Sequence, residues 1–169
     1  MSGLSIIVPS VGRDSLAVLL AILTGQMRPG DELLVDVNDD CPFGNAARNR
    51  LMGEARLGNG LVFFDDDDLV LEGALDSMRS AYIAAPDRLH IFKMDDGKGR
   101  VIWSYQHVAC GNVSTQMICV PRSWALCSRW GERYEGDFDF ISGLAQRFGA
   151  DSIIWHSNIV ATRNGLTSS

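Results

Sequence analysis

The sequence predicts an α/β fold: a mostly parallel sheet flanked by helices, followed by a mixed C-terminal part. Two observations carry the prediction. Short apolar strands alternate with amphipathic helices through the first half of the chain, and the second half changes to a hairpin pattern and short strands. The length of 169 residues is that of one ordinary domain, and the chain contains no repeat or linker. We therefore treat residues 1–169 as one domain.

The first half alternates three strands with three helices. The strands are short, apolar and bounded by Gly, Pro or polar residues, and the helices carry apolar side chains at helical spacing. Asp14 or Ser15 caps the first helix, and Pro86 follows the third. The predicted strands are 4–8, 32–37 and 61–64, and the predicted helices are 16–24, 45–56 and 71–85.

The second half begins with a turn, Asp95-Asp96-Gly97-Lys98-Gly99, between two apolar runs, which predicts a hairpin. Further apolar runs predict three more strands, and two segments have helical periodicity. The predicted strands of this half are 89–94, 101–105, 116–120, 153–155 and 159–161, and its predicted helices are 123–128 and 137–148.

Composition indicates a compact soluble protein, with 46% hydrophobic and 21% charged residues. The formal charge of −6 argues against a broad nucleic-acid-binding surface, which needs clustered Lys and Arg. No segment has the length and apolarity of a membrane span or a signal peptide, so we expect a cytoplasmic protein. The four cysteines lack metal-ligand spacing and lie in or beside apolar stretches, which predicts reduced and mostly buried thiols.

Four consecutive aspartates, Asp65 to Asp68, directly follow the third predicted strand. Parallel sheets bind ligands beyond the carboxyl ends of their strands, so these carboxylates should share a crevice with the loops after the first two strands. Adjacent carboxylates repel one another, and a divalent cation would offset that repulsion. Oxygen ligands suit Mg²⁺ or Mn²⁺. The alternative is a solvated acidic turn that caps the next helix.

Five sequence blocks occur in an order that resembles the inverting glycosyltransferases of family 2, which have a GT-A fold. They are SIIVPSVGR at 5–13, DELLVDVND at 31–39, GNAARNRLMGEA at 44–55, VFFDDDD at 62–68 and RWGERYEGDFDFISGLAQRFG at 129–149. The resemblance implies a nucleotide-sugar donor half over about 1–95 and an acceptor and catalytic-base half over about 96–169.

The resemblance also implies roles for individual residues on the donor side. Asp65 and Asp67 form the Asp-x-Asp pair, with Asp67 as direct metal ligand and Asp65 close to the ribose or its bridging waters; the register is open by one residue. The base is contacted by Asp36 or Asn38, and a surface role for Asp36 stays open. The residues implied to bind the donor nucleotide are Pro9, Ser10, Arg13, Asp36, Asn38, Arg48, Asp65 and Asp66.

On the acceptor side, the resemblance implies that Asp137 at a helix start is the general base, with Asp139 as the competing candidate and helix capping as the structural alternative. His156 corresponds to a late histidine that serves as an extra metal ligand in some metal-dependent GT-A enzymes, although a lone histidine is more often structural.

Together these features predict transfer of a sugar from a nucleoside-diphosphate sugar, UDP-sugar first, to an acceptor hydroxyl with inversion. The reaction would need Mn²⁺ or Mg²⁺, and the acceptor, whether glycan, lipid, protein or modified nucleobase, is open. The alternatives are a nucleotidylyltransferase, whose first loop is usually glycine-rich and basic, and a non-catalytic module that binds a nucleotide sugar or metal.

Overall fold

A computed structural model describes residues 3–38, 42–57 and 60–166, without the side chain of Pro42. Within this part of the chain a single curled sheet of eight strands forms the framework. The strands are β1 (Leu4–Ser10), β2 (Glu32–Val37), β3 (Gly60–Phe63), β4 (Leu69–Val70), β5 (Leu89–Asp95), β6 (Val101–Ile102), β7 (Ile118–Pro121) and β8 (Ile153–Thr162).

The strand order is β2-β1-β3-β7-β5-β8-β4, with β6 paired to β5. Strands β2, β1 and β3 are parallel, β7 is antiparallel to both of its neighbours, and β5 and β8 run parallel to each other. Because β2 and β3 flank β1 on opposite sides, the chain reverses its direction of progress across the sheet at β1. Such a reversal opens a crevice beyond the carboxyl end of the central strand.

Helices cover both faces of the sheet. They are α1 (Ser15–Gln26), α2 (Asn45–Glu54), α3 (Ala74–Ala84), α4 (Arg122–Ala125) and α5 (Gly136–Phe148). Helices α1 and α3 pack over one face, where Leu19 and Met78 belong to one apolar cluster. Helices α2, α4 and α5 pack over the other face, where Leu51, Ala125 and Phe140 belong to a second cluster.

The central strands supply both clusters by alternation. Ile7 and Phe63 face the side of α2 and α5, whereas Ile6, Val8 and Val62 face the side of α1 and α3. All five side chains are fully buried. Burial on both faces explains why β1 and β3 are continuous apolar runs in the sequence. The predicted fold class, a mainly parallel α/β sheet flanked by helices with a mixed C-terminal part, is confirmed.

Three of the differences between the predicted and the observed elements are explained by tertiary contacts that override local pattern. The helix predicted from residue 71 begins at Ala74, since Leu69 and Val70 pair with β8. The strand predicted over 101–105 ends at Ile102, and the following loop is held by Asn112, whose amide donates to the carbonyls of Tyr105 and His107. The two final predicted strands form one irregular strand, β8.

The cysteine prediction is partly wrong. Cys119 is buried, but Cys110 and Cys127 are exposed, and all three are free. Cys41 lies outside the described residues. In the part of the chain that the structure describes, no helix has the length and apolarity that crossing a bilayer requires.

Candidate functional site

The loops after β1, β2 and β3 open into a cavity of about 730 Å³ at the carboxyl ends of the parallel strands. This volume lies within the ordinary range for small-molecule sites. The other wall comes from the β5–β6 turn, the segment before β7, the start of α5 and the end of β8. The cavity brings together most of the predicted site residues: Pro9, Ser10, Arg13, Asn38, Arg48, Asp65, Asp66, Asp67 and Asp137.

The four aspartates alternate in exposure. The side chains of Asp65 and Asp67 are 32% and 21% exposed, whereas that of Asp66 is 2% exposed and Asp68 is buried. The four residues form a turn, in which the backbone N–H of Asp68 donates to the carbonyl of Asp65. The alternation in exposure occurs within this turn. Of the four aspartates, Asp65 and Asp67 are thus the two whose carboxylates a ligand in the cavity can reach.

Asp66 holds the loop after β1. Its carboxylate accepts hydrogen bonds from the Ser10 hydroxyl at 2.6 Å and from the Val11 amide at 3.2 Å, and it pairs with Arg13. The Ser10 oxygen in turn accepts from the Gly12 amide at 2.9 Å. Asp66 was predicted to contact the donor nucleotide, but the structure commits its oxygens to the protein's own loop.

Arg48 is 3% exposed, and its side chain extends from α2 to the acidic run. Its guanidinium pairs with Asp65 and donates to the Phe43 carbonyl at 2.7 Å and to Asn45 at 2.8 Å. Gly44 permits this placement: its φ is +65°, and a Cβ there would lie 2.7 Å from the Cβ of Pro9. The start of α2 can therefore approach the loop after β1.

Gln116, just before β7, was not predicted. Its buried amide donates to Asp65 at 3.0 Å and contacts Asp68, so it bridges two members of the acidic run. The Asn164 amide donates to the other oxygen of Asp68 at 2.9 Å. The only sequence signal for Gln116 is a polar residue at the edge of the apolar run Met117 to Val120, which does not distinguish a site residue from a satisfied core amide.

Burial dominates the electrostatics of the acidic run. It raises the pKa of Asp68 to about 8, with a further contribution from the charge of Asp65. It also raises the pKa of Asp67, where Arg13 opposes and Asp65 and Asp66 reinforce the shift. The Asp67 carboxylate lies 3.5 Å from Arg13 and is less committed to protein partners than its neighbours. A cation near Asp67 would relieve this repulsion.

The residues present fit a divalent cation that is only partly held by protein. No group of three or more His, Cys, Asp or Glu side chains among the described residues is arranged to hold a metal. Mg²⁺ and Mn²⁺ commonly use one or two carboxylates and complete their coordination with substrate phosphates and water. Asp67, with Asp65 beside it, supplies carboxylates of that kind.

Asp137 lies in the first turn of α5 and lines the cavity. Its carboxylate accepts from the Phe138 amide at 2.7 Å. Burial raises its pKa, and the hydrogen bond from Phe138 together with the charge of Arg48 opposes the shift. Asp139 does not line the cavity. It forms a two-point ion pair with Arg133 at 2.6 and 2.8 Å.

Two predicted residues are not brought to the cavity wall. Asp36 pairs with Arg50 of α2, while its neighbour Asn38 lines the cavity and donates its amide N–H to the Ser10 carbonyl at 2.9 Å. His156 belongs to a separate hollow beside α3, where it stacks on Phe92 and lies 3.0 Å from His90. The prediction of a metal role for His156 is therefore not supported by its position.

The cavity is also lined by exposed residues that the sequence did not single out. Tyr134 and Phe43 are 62% and 53% exposed, and their rings meet edge to face at 5.7 Å. Lys98 and Arg163 are exposed cations that line the cavity as well. In contrast, Trp130 packs inward: it stacks on Phe140 and is 2% exposed.

Comparisons with known proteins reveal similarity in structure but not in sequence. No protein-family model matches the chain, and no curated protein matches it. Among solved structures, S. aureus TarS 1–349 superposes with a TM-score of 0.73 at 16% identity, covering 96% of this chain and 60% of that one. The same TarS fragment in complex with UDP-GlcNAc gives 0.72 at 17% identity, with coverages of 96% and 58%.

A glucosyl-3-phosphoglycerate synthase from Mycobacterium tuberculosis, solved with Mn²⁺, UDP and glucosyl-3-phosphoglycerate, gives a TM-score of 0.68 at 11% identity. The superposition covers 96% of this chain and 72% of the synthase. The chain spans less than two thirds of the TarS chains. At these identities the likeness establishes the fold, which is the GT-A-like α/β fold of these proteins.

Proposed function

We propose that this protein is a metal-dependent glycosyltransferase. It would move a sugar from a nucleoside-diphosphate sugar, with UDP as the first choice of nucleotide, to an acceptor hydroxyl with inversion at the anomeric carbon. One observation carries the proposal. Asp65 and Asp67, the accessible pair of the acidic run, share a single cavity with Arg48 and with Asp137.

The donor side of the cavity has the groups that a nucleoside diphosphate needs. The loop Ser10 to Arg13, held by Asp66, borders the nucleoside together with Asn38. Arg48 brings a guanidinium to the acidic run from the first turns of α2. A divalent cation held by Asp67 and the diphosphate would supply Lewis-acid stabilisation of the charge that develops on the leaving group. The neighbours solved with UDP-GlcNAc, or with UDP and Mn²⁺, support this choice of ligand class.

Asp137 is the proposed general base. Its raised pKa strengthens it as a proton acceptor, and it lines the same cavity as the acidic run. The acceptor oxygen would form a bond to the anomeric carbon while the bond to the diphosphate oxygen breaks. The hydroxyl proton passes to Asp137, and the electron pair leaves with the nucleoside diphosphate. A single displacement of this kind inverts the anomeric centre.

Thermal unfolding with ligands tests the donor assignment. We expect UDP and UDP-sugars to raise the melting temperature only when Mn²⁺ or Mg²⁺ is present, because the diphosphate and Asp67 complete each other's coordination of the cation. GDP-, TDP- and CDP-sugars serve as competitors for base preference. Equal stabilisation in excess EDTA would contradict a metal-bridged donor site.

Turnover separates the enzyme from a binding module. Release of UDP from a bound UDP-sugar, in the presence of acceptor or slowly to water, is expected of a transferase. Metal-dependent binding without any release under either condition would instead support a non-catalytic nucleotide-sugar module. Release of pyrophosphate from a nucleoside triphosphate and a sugar phosphate would support a nucleotidylyltransferase.

A further inference from the structure

The cations around the cavity fall into two groups. Arg13 and Arg48 pair with aspartates of the acidic run, and Arg100 pairs with Asp96 at 3.0 Å. On the wall formed by the β5–β6 turn and the end of β8, Lys98 and Arg163 have no carboxylate within 4.0 Å among the described residues. Both side chains are exposed. Arg163 donates to the Tyr134 hydroxyl, and the charges of Asp68 and Asp137 help to raise its pKa.

The backbone brings together the two segments that carry these cations. The Arg163 amide donates to the Asp95 carbonyl at 2.9 Å. Gly97, with φ of +73°, lies so close to Arg163 that a Cβ on it would be 2.5 Å from the Arg163 carbonyl oxygen. Lys98 is the next residue of the same turn. The turn and the end of β8 therefore form one junction, and both Lys98 and Arg163 line the cavity from it.

Tyr134 links this junction to the proposed general base. Its hydroxyl accepts a hydrogen bond from the Arg163 guanidinium at 2.7 Å, and its ring remains 62% exposed at the cavity. Tyr134 lies three residues before Asp137, which is in the first turn of α5. An acceptor that places a hydroxyl at Asp137 would thus meet an aromatic face and then the two cations.

We propose that Lys98 and Arg163 form a subsite for an anionic group, a phosphate ester or a carboxylate, carried by the acceptor. Its carbon skeleton packs on Tyr134 while its hydroxyl reaches Asp137. The inference rests on the proposed function and deepens it by naming the acceptor class. The donor diphosphate has proposed partners of its own, Arg48 and the cation at Asp67. Neither Lys98 nor Arg163 forms an ion pair with Asp65 or Asp67, so these two cations remain available for a second anion.

Calorimetric titration tests the subsite with small probes of matched shape. Protein saturated with UDP and Mg²⁺ is titrated with glycerol 3-phosphate, with glycerate and with uncharged glycerol. The two variants compared are K98Q/R163Q and a control, R88Q/R129Q, which removes two exposed arginines that do not line the cavity. Each double variant lowers the positive charge equally, so a difference between them reports position and not net charge.

We expect one or both anionic probes to bind and glycerol not to bind. K98Q/R163Q should weaken the anionic probes at least about tenfold, the effect of losing one to two charge-assisted contacts, and should leave UDP affinity within about twofold. The control should change neither. Three outcomes would each overturn the subsite: equal weakening by both double variants, failure of both anions to bind, or a loss confined to UDP. The last would assign the cations to the donor.

The same titration distinguishes the two proposals. If UDP with Mg²⁺ does not bind, the anions are titrated into the free protein, where a loss specific to K98Q/R163Q would keep the subsite and reject the proposed donor site. If UDP binds and is released from a UDP-sugar but the anions show no such loss, the subsite alone is rejected. Melting temperatures of all variants, which alter only exposed side chains, verify that each one folds.

Discussion

Two clusters of titratable side chains lie against the same sheet, and they differ in how their buried polar groups are compensated. The histidine pair, His90 and His156, lies beside α3. The acidic cluster, Asp65 to Asp68 with Asp137, lies at the carboxyl ends of the parallel strands. In the first, each buried group satisfies another by hydrogen bonding. In the second, carboxylates outnumber the cations that contact them.

The hydrogen bonds of the histidine pair fix its tautomers. Nε2 of His90 lies 2.9 Å from the Ala85 carbonyl, which can only accept, so His90 carries its proton there. Its Nδ1 then accepts from Nε2 of His156 at 3.0 Å. Burial lowers the pKa of both rings, and for His156 the neighbouring His90 adds to the shift. The neutral pair is complete without a ligand.

The acidic cluster shows the opposite shifts, because burial raises the pKa of Asp67, Asp68 and Asp137. A carboxyl group with a raised pKa in the folded state contributes stability at low pH that is lost as the pH rises through that value. Each of these three carboxyl groups therefore lowers the stability of the ligand-free fold once it ionises. A buried cluster with unbalanced charge indicates a ligand site, whereas a balanced one indicates structure.

The largest expected effect follows substitution of the proposed base. Asp137→Asn should lower sugar transfer by roughly two to four orders of magnitude, the usual contribution of a positioned general base, while donor affinity stays within a few-fold. The amide keeps the shape of the carboxylate and can still accept from the Phe138 N–H. Transfer rates and donor affinity are measured on the same preparation.

Asp139→Asn is the matched control, since Asp139 lies in the same helical turn but pairs with Arg133 outside the cavity. It should leave transfer close to that of the unmodified protein. Loss of transfer in Asp139→Asn together with full activity in Asp137→Asn would show that Asp139, two residues further along the helix, is the general base and that Asp137 is not.

Asp67→Ala should abolish metal-dependent UDP binding and leave the free energy of unfolding of the ligand-free protein equal or higher. The reason is that Asp67 is accessible, repelled by its neighbours and weakly committed to protein partners. Calorimetry with Mn²⁺ and UDP, followed by urea unfolding without either, measures both effects. A large loss of ligand-free stability with UDP binding retained would make Asp67 a structural residue.

Asp66→Ala removes the same charge one residue away and should act in the opposite direction on stability. It leaves Ser10, Val11 and Arg13 without their common acceptor, so we expect a loss of about 1–3 kcal/mol in the free energy of unfolding. Urea unfolding beside Asp67→Ala gives the comparison directly. Equal stability of the two variants would refute the division of the run into accessible and structural carboxylates.

The smallest effect concerns the histidine pair. Because the folded pKa of both rings is lowered, the unfolded state binds more protons between those values and about 6.5, and stability falls as the pH falls through this window. His156→Gln should reduce that slope by up to about 1.4 kcal/mol per pH unit. Urea unfolding from pH 7 to 5 measures it, with exposed His107→Gln as control. An unchanged slope would show that the pair does not titrate on unfolding.

Much of the fold was predictable because its strands are buried on both faces. A strand such as 61–64 is a continuous apolar run bounded by polar residues, and its pattern needs no knowledge of its neighbours. The start of α3 and the end of β6 were not predictable in this way. They depend on pairing of Leu69 with Thr162 and on the loop organised by Asn112, contacts between residues that are distant in sequence or held by a side chain.

The residues of the candidate site were likewise predictable only in part. The order of the blocks around Pro9, Arg48, the acidic run and Asp137 predicted that these residues converge, and the cavity does contain them. Their roles remain predictions. Sequence reasoning did not find Gln116, Lys98 or Arg163, because a polar residue beside a strand, a lysine in a turn and a late arginine have no distinctive local pattern.

By itself the sequence determined the alternation of buried strands and amphipathic helices, and the acidic run at the carboxyl end of β3, since both follow from local pattern and chain direction. Only the tertiary structure decided which aspartates are accessible, that His156 joins His90 and not the acidic run, and that the turn at Gly97 lies against Arg163. Burial and charge balance depend on atoms brought from distant segments, and those neighbours exist only once the chain has folded.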